Sequence, residues 1–195
     1  MPIIHLYTDS MVQALDYEIV NWAVHITQQS SWITSVVYVC ADLLVYIFPA
    51  VLLALWARPE VASHRHGAQK AVVLAIFSVV LALAIKSGLE FIFIRPRPFI
   101  TYPDLAVLHL RVDSSNSFPS GHTMFAFAIA ASLRLSGFKK LGNWLLVLAV
   151  LVGLGRVFSG VHYPSDVLVG AVLSLGVAWF LHRDGSTLRR YLPNN

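Results

Sequence analysis

Charged side chains are scarce in this chain of 195 residues. Asp, Glu, Lys and Arg make up 12% of the sequence, whereas hydrophobic residues make up 57%. A soluble domain of this length has no need of so apolar a composition, so we expect the surrounding solvent to be lipid. The N-terminal residues lack a basic segment followed by a short apolar core, and no cleavable signal peptide is expected. The length favours a single membrane-embedded domain over residues 1–195.

Cysteine and clustered metal ligands are equally scarce. Cys40 is the only cysteine and lies inside an apolar run, which excludes a disulfide framework and a thiolate metal site. No group of Asp, Glu and His residues has the spacing of a metal site, so we expect neither a metal nor another cofactor. The net charge of +4 is small. The expected partners are membrane lipids and not nucleic acid, and the oligomeric state stays open.

Five apolar stretches are candidates to cross a bilayer, for which roughly 17–25 residues are needed. They are residues 35–56, 71–94, 119 to about 135, 143 to about 158, and 165–181. Before them, residues 10–29 carry apolar side chains at alternating spacings of three and four, with Ser10 and Gln13 as a possible capping box. That segment is too polar to span, so we expect it along the membrane surface. The predicted fold is an all-α membrane bundle of five spanning helices plus an N-terminal amphipathic interfacial helix, six helices in all.

The positive charges are unevenly distributed along the chain. Basic residues occur between the first two spans, between the third and fourth spans, and in the C-terminal tail. They are Arg58, Arg65, Lys70, Lys139, Lys140, Arg183, Arg189 and Arg190, with Arg134 just inside the end of the third span. Alternation of the spans puts all three groups on one face, which the positive-inside rule makes cytoplasmic. The remaining polar motifs then share the outer face.

Three polar segments interrupt the apolar sequence and fall on that outer face. The first is Arg-Pro-Arg-Pro-Phe at 95–99, and the second is Ser-Phe-Pro-Ser-Gly-His-Thr at 117–123. The third contains Arg156, His162 and Asp166. In the second segment, proline and small residues precede an apolar run, which favours a helix start whose N–H groups can bind an anion.

These segments contain the groups that phosphate binding requires. Arg97 and Arg156 carry planar, permanently charged guanidinium groups that match phosphate oxygens. Ser120 and the N–H groups around Gly121 offer further donors. Because the sequence shows no metal site, we expect the arginines to neutralise the phosphate charge.

Two histidines supply groups that can react. His162 and Asp166 are four residues apart, so the carboxylate can bind one ring nitrogen and leave the other lone pair free to attack. His122 is then available as the general acid for the leaving group. Each feature alone also has a structural interpretation: a basic juxtamembrane stop, an arginine that snorkels to the headgroups, a structural histidine. Their occurrence together on one face favours the chemical interpretation.

The order and spacing of these motifs resemble those of the phosphatidic acid phosphatase type 2 superfamily. That family shows Lys-x6-Arg-Pro, then Pro-Ser-Gly-His, then Ser-Arg-x5-His-x3-Asp, and the resemblance here covers roughly residues 86–170. It implies a membrane lipid phosphatase in which His162 forms a phosphohistidine, Asp166 orients it and His122 protonates the leaving group. It also implies a set of phosphate-binding residues, which are Arg97, Ser120, Gly121 and Arg156.

The chain departs from the family pattern at two positions. Gly155 stands where the third motif usually has serine, and Glu90 stands at the lysine position of the first motif. The nearest lysine, Lys86, lies one turn earlier. Loss of the motif lysine, with the length and span count, resembles the short bacterial undecaprenyl-diphosphate phosphatases. The resemblance implies a bacterial inner-membrane enzyme that converts undecaprenyl diphosphate to the monophosphate, with its site facing the periplasm or cell exterior.

Other activities stay open at the level of sequence. Phosphatidylglycerophosphate or phosphatidic acid is the second class of substrate. A phosphotransferase that passes the phosphoryl group to another lipid would share the first half-reaction. A small lipid transporter is the non-enzymatic alternative, but transporters often show duplicated halves, and this sequence shows no duplication.

Three charged residues lie within the first two predicted spans. Counting inward from Thr34 and Ile94 puts Asp42 and Lys86 each eight residues deep, or about 12 Å at a rise of roughly 1.5 Å per residue. Lys86 can reach Glu90 at one-turn spacing, and Asp42 can approach the same ammonium if the first two spans pack together. Because unpaired charges are costly at such depth, we expect an Asp42–Lys86–Glu90 cluster that supports the site. The alternative is that Lys86 and Glu90 snorkel outward.

Overall fold

The chain folds into six long helices over the residues that the computed structural model describes, 11–57, 62–105 and 115–183. They are α1 (Met11–Gln28), α2 (Ser31–Trp56), α3 (Ala62–Ile92), α4 (Gly121–Leu135), α5 (Lys139–Phe158) and α6 (Pro164–Arg183). These described residues contain no β-strand. The predicted all-α class is therefore confirmed.

Within the described part of the chain, four helices are long and apolar enough to cross a membrane: α2, α3, α5 and α6. The third predicted span corresponds to α4, which begins at Gly121 and has 15 residues. At a rise of roughly 1.5 Å per residue it is about 22 Å long, shorter than the hydrocarbon core of about 30 Å. It packs against α3, α5 and α6, and every side chain from Thr123 to Leu133 except Phe125 is buried. The protein is a multi-pass membrane bundle with this short helix at its centre.

Apolar side chains cover both the inside and the outside of the bundle. Ala126, Ala128 and Ala130 of α4 are fully buried, and such small residues allow neighbouring helices to approach closely. On the outer surface, Leu53 is 68% exposed and Phe77 is 57% exposed. A helix bundle that is apolar on its outer surface as well as in its core is typical of a protein surrounded by lipid.

Helix α1 matches the predicted amphipathic helix closely. Its apolar stripe faces away from the bundle, with Val12, Ile19 and Trp22 exposed by 50%, 44% and 59%. That orientation is expected for a helix that lies in the membrane interface. The opposite face of α1 packs against the rest of the protein and carries a buried carboxylate, Asp16. Ser10 of the proposed capping box lies outside the described residues.

Candidate active site

Hydrogen bonds join the first and second polar segments. The N–H of Ser117 donates to the carbonyl of Arg95 at 2.8 Å, beside an isolated β-bridge between Pro96 and Asn116. The side chain of Asn116 accepts from the N–H of Arg95 at 3.1 Å and donates to the carbonyl of Phe93 at 2.8 Å. Asn116, which no motif had singled out, therefore holds the two segments in register.

Arg97 contacts His162 directly. Its guanidinium is buried, and Nη1 lies 3.0 Å from both the carbonyl of Val161 and Nε2 of His162. Because a guanidinium has only donors, Nε2 must accept, and the proton of a neutral imidazole then sits on Nδ1. Burial lowers the pKa of His162 to about 4; the charges of Arg156 and Arg97 act in the same direction, and Asp166 acts against them. His162 is therefore neutral at physiological pH, with its lone pair on Nε2.

Asp166 lies beside the other ring nitrogen. Its Oδ2 is 3.6 Å from Nδ1 of His162, longer than a hydrogen bond, and accepts the N–H of Tyr163 at 2.9 Å. Its Oδ1 forms an ion pair with Nη1 of Arg95 at 2.5 Å. The carboxylate is fully buried. These two donors therefore fix its orientation relative to the imidazole.

An irregular turn of α2 anchors Arg156. Val39–Leu43 form a π-helical turn, and Leu44–Tyr46 form a 3-10 turn. In the π-helical turn, the carbonyl of Ala41 accepts a hydrogen bond from Nη1 of Arg156 at 3.0 Å. A Cβ on Gly155 would lie 2.6 Å from the backbone nitrogen of Ala41. The close packing of α5 on α2 therefore accounts for glycine where the family usually has serine.

The predicted Asp42–Lys86–Glu90 cluster is only partly formed. Lys86 and Glu90 pair at 2.6 Å. Among the ion pairs of the described residues, none joins Asp42 to them, and its charge acts on Arg156 instead. Counting inward from Thr34 assumed a regular helix, whereas a π-helical turn changes the direction in which the following side chains leave the helix. Asp42 therefore belongs to the surroundings of Arg156.

The second polar segment forms the N-terminus of α4. The N–H of Ser120 donates to the carbonyl of Asp166 at 3.2 Å, which ties α4 to α6. Its hydroxyl accepts from the hydroxyl of Thr123 at 3.0 Å and keeps its own hydrogen for another acceptor. His122 is partly buried and lies within electrostatic range of His162. The three polar segments thus meet at one end of the bundle.

A cavity of about 510 Å³ opens beside these groups and is lined by Lys86, Gly121, His122 and mainly apolar side chains. The Cε atom of Lys86 lies 3.1 Å from the position that a Cβ on Gly121 would occupy. Glu90 holds the ammonium of Lys86 at 2.6 Å, and both side chains are 23% exposed. Lys86 therefore brings a positive charge to the cavity of His122 from one turn deeper than the motif position.

The structure brings together the residues predicted for catalysis and phosphate binding. They are Arg97, Ser120, Gly121, His122, Arg156, His162 and Asp166. The sequence motifs did not predict that Arg95 forms ion pairs with both Asp166 and Asp16. Arg95 was visible as the first arginine of Arg-Pro-Arg-Pro. No pattern links it to Asp16, which is 79 residues away in the chain.

Comparisons with known proteins agree with this arrangement. Residues 71–190 match the model of the PAP2 superfamily. The chain is 33% identical over 155 residues to the bacitracin transport permease protein BcrC of Bacillus licheniformis, covering 79% of this chain and 72% of that protein. It is 27% identical over 179 residues to the undecaprenyl-diphosphatase BcrC of Bacillus subtilis, covering 91% of this chain and 88% of that protein.

A solved structure shares the fold. The first transmembrane PAP2-type phosphatidylglycerolphosphate phosphatase from Bacillus subtilis superposes with a TM-score of 0.61 at 28% identity. The superposition covers 94% of this chain and 90% of that one. The family match spans all three polar segments and more than half of the chain. The chain therefore belongs to the PAP2 superfamily and is a membrane lipid phosphatase.

Proposed function

We propose that the chain hydrolyses a polyprenyl diphosphate, undecaprenyl diphosphate, to the monophosphate and phosphate through a phosphohistidine at His162. The observation that carries this proposal is the neutral, buried imidazole whose Nε2 lone pair faces Arg97 at 3.0 Å. In the first step Nε2 attacks the terminal phosphorus, a P–N bond forms, and the bond from phosphorus to the bridging oxygen breaks. The leaving monophosphate takes a proton from His122, which enters the step as imidazolium because the negative charge of the bound diphosphate favours that form.

The second step returns the enzyme to its starting state. His122, now the base, takes a proton from water while the water oxygen attacks phosphorus. The P–N bond breaks, phosphate leaves, and the ring of His162 is neutral again. Asp166 stabilises the positive charge that the ring carries in between, because its Oδ2 lies 3.6 Å from Nδ1.

The positive charge and the hydrogen-bond donors around His162 support a phosphoryl transfer at this site. Arg97 and Arg156 would hold the oxygens of the terminal phosphate, where charge builds up in the transition state. The hydroxyl of Ser120 and the N–H groups at Gly121 add donors at the start of α4. The catalytic chemistry would lie within one membrane-embedded domain.

The distribution of charge also favours a diphosphate as substrate. With the two arginines on the terminal phosphate, Lys86 in the cavity beside His122 is available to the leaving phosphate. A second cavity of about 490 Å³ has only apolar lining residues and shares Pro49 and Phe125 with the first. Apolar lining of this kind suits a hydrocarbon chain. The name of the Bacillus subtilis relative, undecaprenyl-diphosphatase, supports the same substrate.

A second candidate substrate is phosphatidylglycerophosphate, which the name of the structural neighbour favours, with phosphatidic acid in the same class. A polyprenyl diphosphate:lipid phosphotransferase would use the same phosphohistidine and differ only in the acceptor. One relative is named a transport permease, which keeps lipid transport among the outcomes to be tested.

We propose further that the site faces the periplasm or cell exterior from the bacterial cytoplasmic membrane. Lys139 and Lys140 begin α5 and Arg183 ends α6, at the opposite ends of these helices from Arg156 and Asp166. Positive residues favour the cytoplasmic side. Of the other basic residues in the prediction, Arg58, Arg189, Arg190 and the side chain of Arg65 lie outside the described residues.

The proposal is tested by phosphate release from purified protein supplied with undecaprenyl diphosphate, phosphatidylglycerophosphate and phosphatidic acid in turn. We expect the highest kcat/KM for the diphosphate. Label that moves from the diphosphate to a second lipid only when acceptor membranes are added would identify a phosphotransferase. Absence of release from all three lipids would contradict the proposal and favour transport.

A further inference from the structure

A buried carboxylate on the interfacial helix is linked to the candidate catalytic carboxylate. Asp16 of α1 is 3% exposed. It accepts hydrogen bonds from Nη2 of Arg95 at 2.6 Å, from the N–H of Ser165 at 3.0 Å and from the hydroxyl of Ser165 at 2.5 Å. Asp16 therefore contacts both the arginine and the first turn of the helix that carries Asp166.

Arg95 connects the two carboxylates. Its Nη2 pairs with Asp16, and its Nη1 pairs with Oδ1 of Asp166 and donates to the hydroxyl of Ser165 at 2.7 Å. The guanidinium carbon lies 3.8 Å from the centroid of the Tyr163 ring. The planar guanidinium of arginine can stack on an aromatic ring and pair with a carboxylate through each of its two terminal nitrogens. A lysine ammonium cannot reproduce this arrangement. The arginine is consequently held in one orientation.

We infer that Asp16, acting through Arg95, is a positioning residue for Asp166. The inference rests on the proposed function, in which Asp166 must keep Oδ2 directed at Nδ1 of His162. Arg95 binds Oδ1 of Asp166 and so leaves Oδ2 for the N–H of Tyr163 and for the imidazole. Asp16 holds Arg95 in the orientation in which it binds only Oδ1 of Asp166 and leaves Oδ2 for the imidazole.

The geometry of arginine–carboxylate pairs explains why a second carboxylate is needed. An arginine paired with a single buried carboxylate is free to turn towards it and to bind both oxygens in the bidentate geometry that such pairs favour. A bidentate Arg95–Asp166 pair would draw Oδ2 away from His162. Asp16 prevents this because it occupies Nη2. Neither Asp16 nor Arg95 touches the substrate in this account, and both act through Asp166.

The test is a double-mutant cycle in kcat per folded molecule, on whichever lipid phosphate the purified wild-type protein hydrolyses fastest. Asp16→Asn keeps an acceptor for the N–H of Ser165 but removes the charge that Arg95 binds. We expect kcat to fall by roughly ten- to a hundredfold, the scale for misplacing a reacting group by about 1 Å, with KM nearly unchanged. In protein that already carries Asp166→Asn, the same change should cost less than about twofold, because the group it positions is gone.

The matched control is Glu18→Gln, the same carboxylate-to-amide change on the exposed face of α1, which should leave kcat unchanged. Equal losses from Asp16→Asn in both backgrounds, or a lower melting temperature at unchanged kcat, would overturn the inference and leave Asp16 a structural role. If Asp16→Asn does not fold, Asp16→Glu takes its place in the cycle, since it keeps the charge but moves the carboxylate that holds Arg95. A wild-type protein that hydrolyses none of the lipids would overturn the proposed function and this inference with it. An active wild type together with Asp16→Asn at the wild-type kcat overturns the inference alone.

Discussion

Nε2 of His162 accepts a hydrogen bond from Nη1 of Arg97 at 3.0 Å. Since the guanidinium can only donate, this contact determines the tautomer: the lone pair is on Nε2 and the proton is on Nδ1, beside Asp166. The nucleophile proposed for the reaction therefore stands in its reactive form against a cation that matches phosphate oxygens. A phosphate that takes over the donors of Arg97 would be directed at the same nitrogen.

The first prediction concerns protonation of His162. Burial, together with Arg156 and Arg97, lowers its pKa to about 4, whereas an unfolded histidine titrates near pH 6.5. We expect the ring NMR signals of His162, assigned with His162→Gln, to titrate near pH 4 in detergent. In Arg97→Gln the pKa should rise because a neighbouring positive charge is lost. A midpoint near 6.5 in the wild-type protein would contradict the buried, cation-flanked geometry.

The lowered pKa of His162 also makes the stability of the protein fall with decreasing pH. Between the folded pKa of about 4 and the unfolded value near 6.5, the unfolded chain binds more protons at this histidine. The contribution of His162 is therefore fully present above about pH 6.5 and is lost as the pH falls towards 4. Melting temperatures measured over that range should fall less steeply in His162→Gln than in the wild-type protein.

The second prediction concerns Lys86, which we expect to serve the leaving phosphate. Lys86→Met should lower kcat/KM for the diphosphate by roughly tenfold or more, the scale for one charge-assisted hydrogen bond, and should affect a monophosphate lipid less. Lys70→Met, the same change at the other end of α3, is the matched control. Equal losses of kcat/KM on both substrates would show that Lys86 does not recognise the second phosphate.

Glu90→Lys is the complementary change, because it restores the family pattern. The substitution replaces an anion paired with Lys86 by a cation at the motif position. An increase in activity on monophosphate lipids would put position 90 within reach of the substrate. An unchanged substrate profile would put it outside the site and leave it only the role of holding Lys86.

The third prediction concerns Gly155, where the family usually has serine. A Cβ at this position would meet the backbone of Cys40 at 2.7 Å and of Ala41 at 2.6 Å, and the backbone has less freedom to move than a side chain. Gly155→Ser should therefore lower the free energy of unfolding by about 1–3 kcal/mol, as overpacking does, and should reduce kcat/KM because Arg156 is displaced. Gly176→Ser is the control, since a Cβ there meets no atom within 4 Å. Equal stability of the two variants would contradict the packing of α5 on the π-helical turn.

The positions of the helices and the composition of the site followed from the sequence because their signals are local. Apolar runs predicted α2, α3, α5 and α6, and Pro119 before Gly121 predicted the start of α4 to within two residues. The site residues met because each polar segment lies at the same end of a span. Alternation of the spans was enough to put His122 and His162 at the same end of the bundle.

What could not be predicted depends on irregular backbone and on contacts between distant residues. Asp42 lies in the π-helical turn of α2, where its charge acts on Arg156, and no residue pattern marks such a turn. The pairing of Asp16 with Arg95 requires α1 to dock on the bundle through the face opposite its apolar stripe. The periodicity of α1 predicted only the lipid-facing side, so its buried carboxylate had no assigned partner.

The fourth prediction concerns orientation. In a variant without the native cysteine, Cys40→Ala, single cysteines at the exposed positions Thr101 and Lys140 should react oppositely with an impermeant thiol reagent. We expect Thr101→Cys to be labelled in intact cells and Lys140→Cys only after the cells are opened, because the positive charges favour the cytoplasmic side. The reverse pattern would mean that the site faces the cytoplasm.

The most direct test is to trap the phosphoenzyme with undecaprenyl diphosphate labelled in its terminal phosphate. After acid-free quenching, we predict an alkali-stable label on the peptide that contains His162, formed roughly a hundredfold more slowly in His122→Ala, the scale for loss of a general acid. His162→Ala should fold normally, take up no label and release no phosphate. Phosphate release at the wild-type rate from folded His162→Ala would contradict the account.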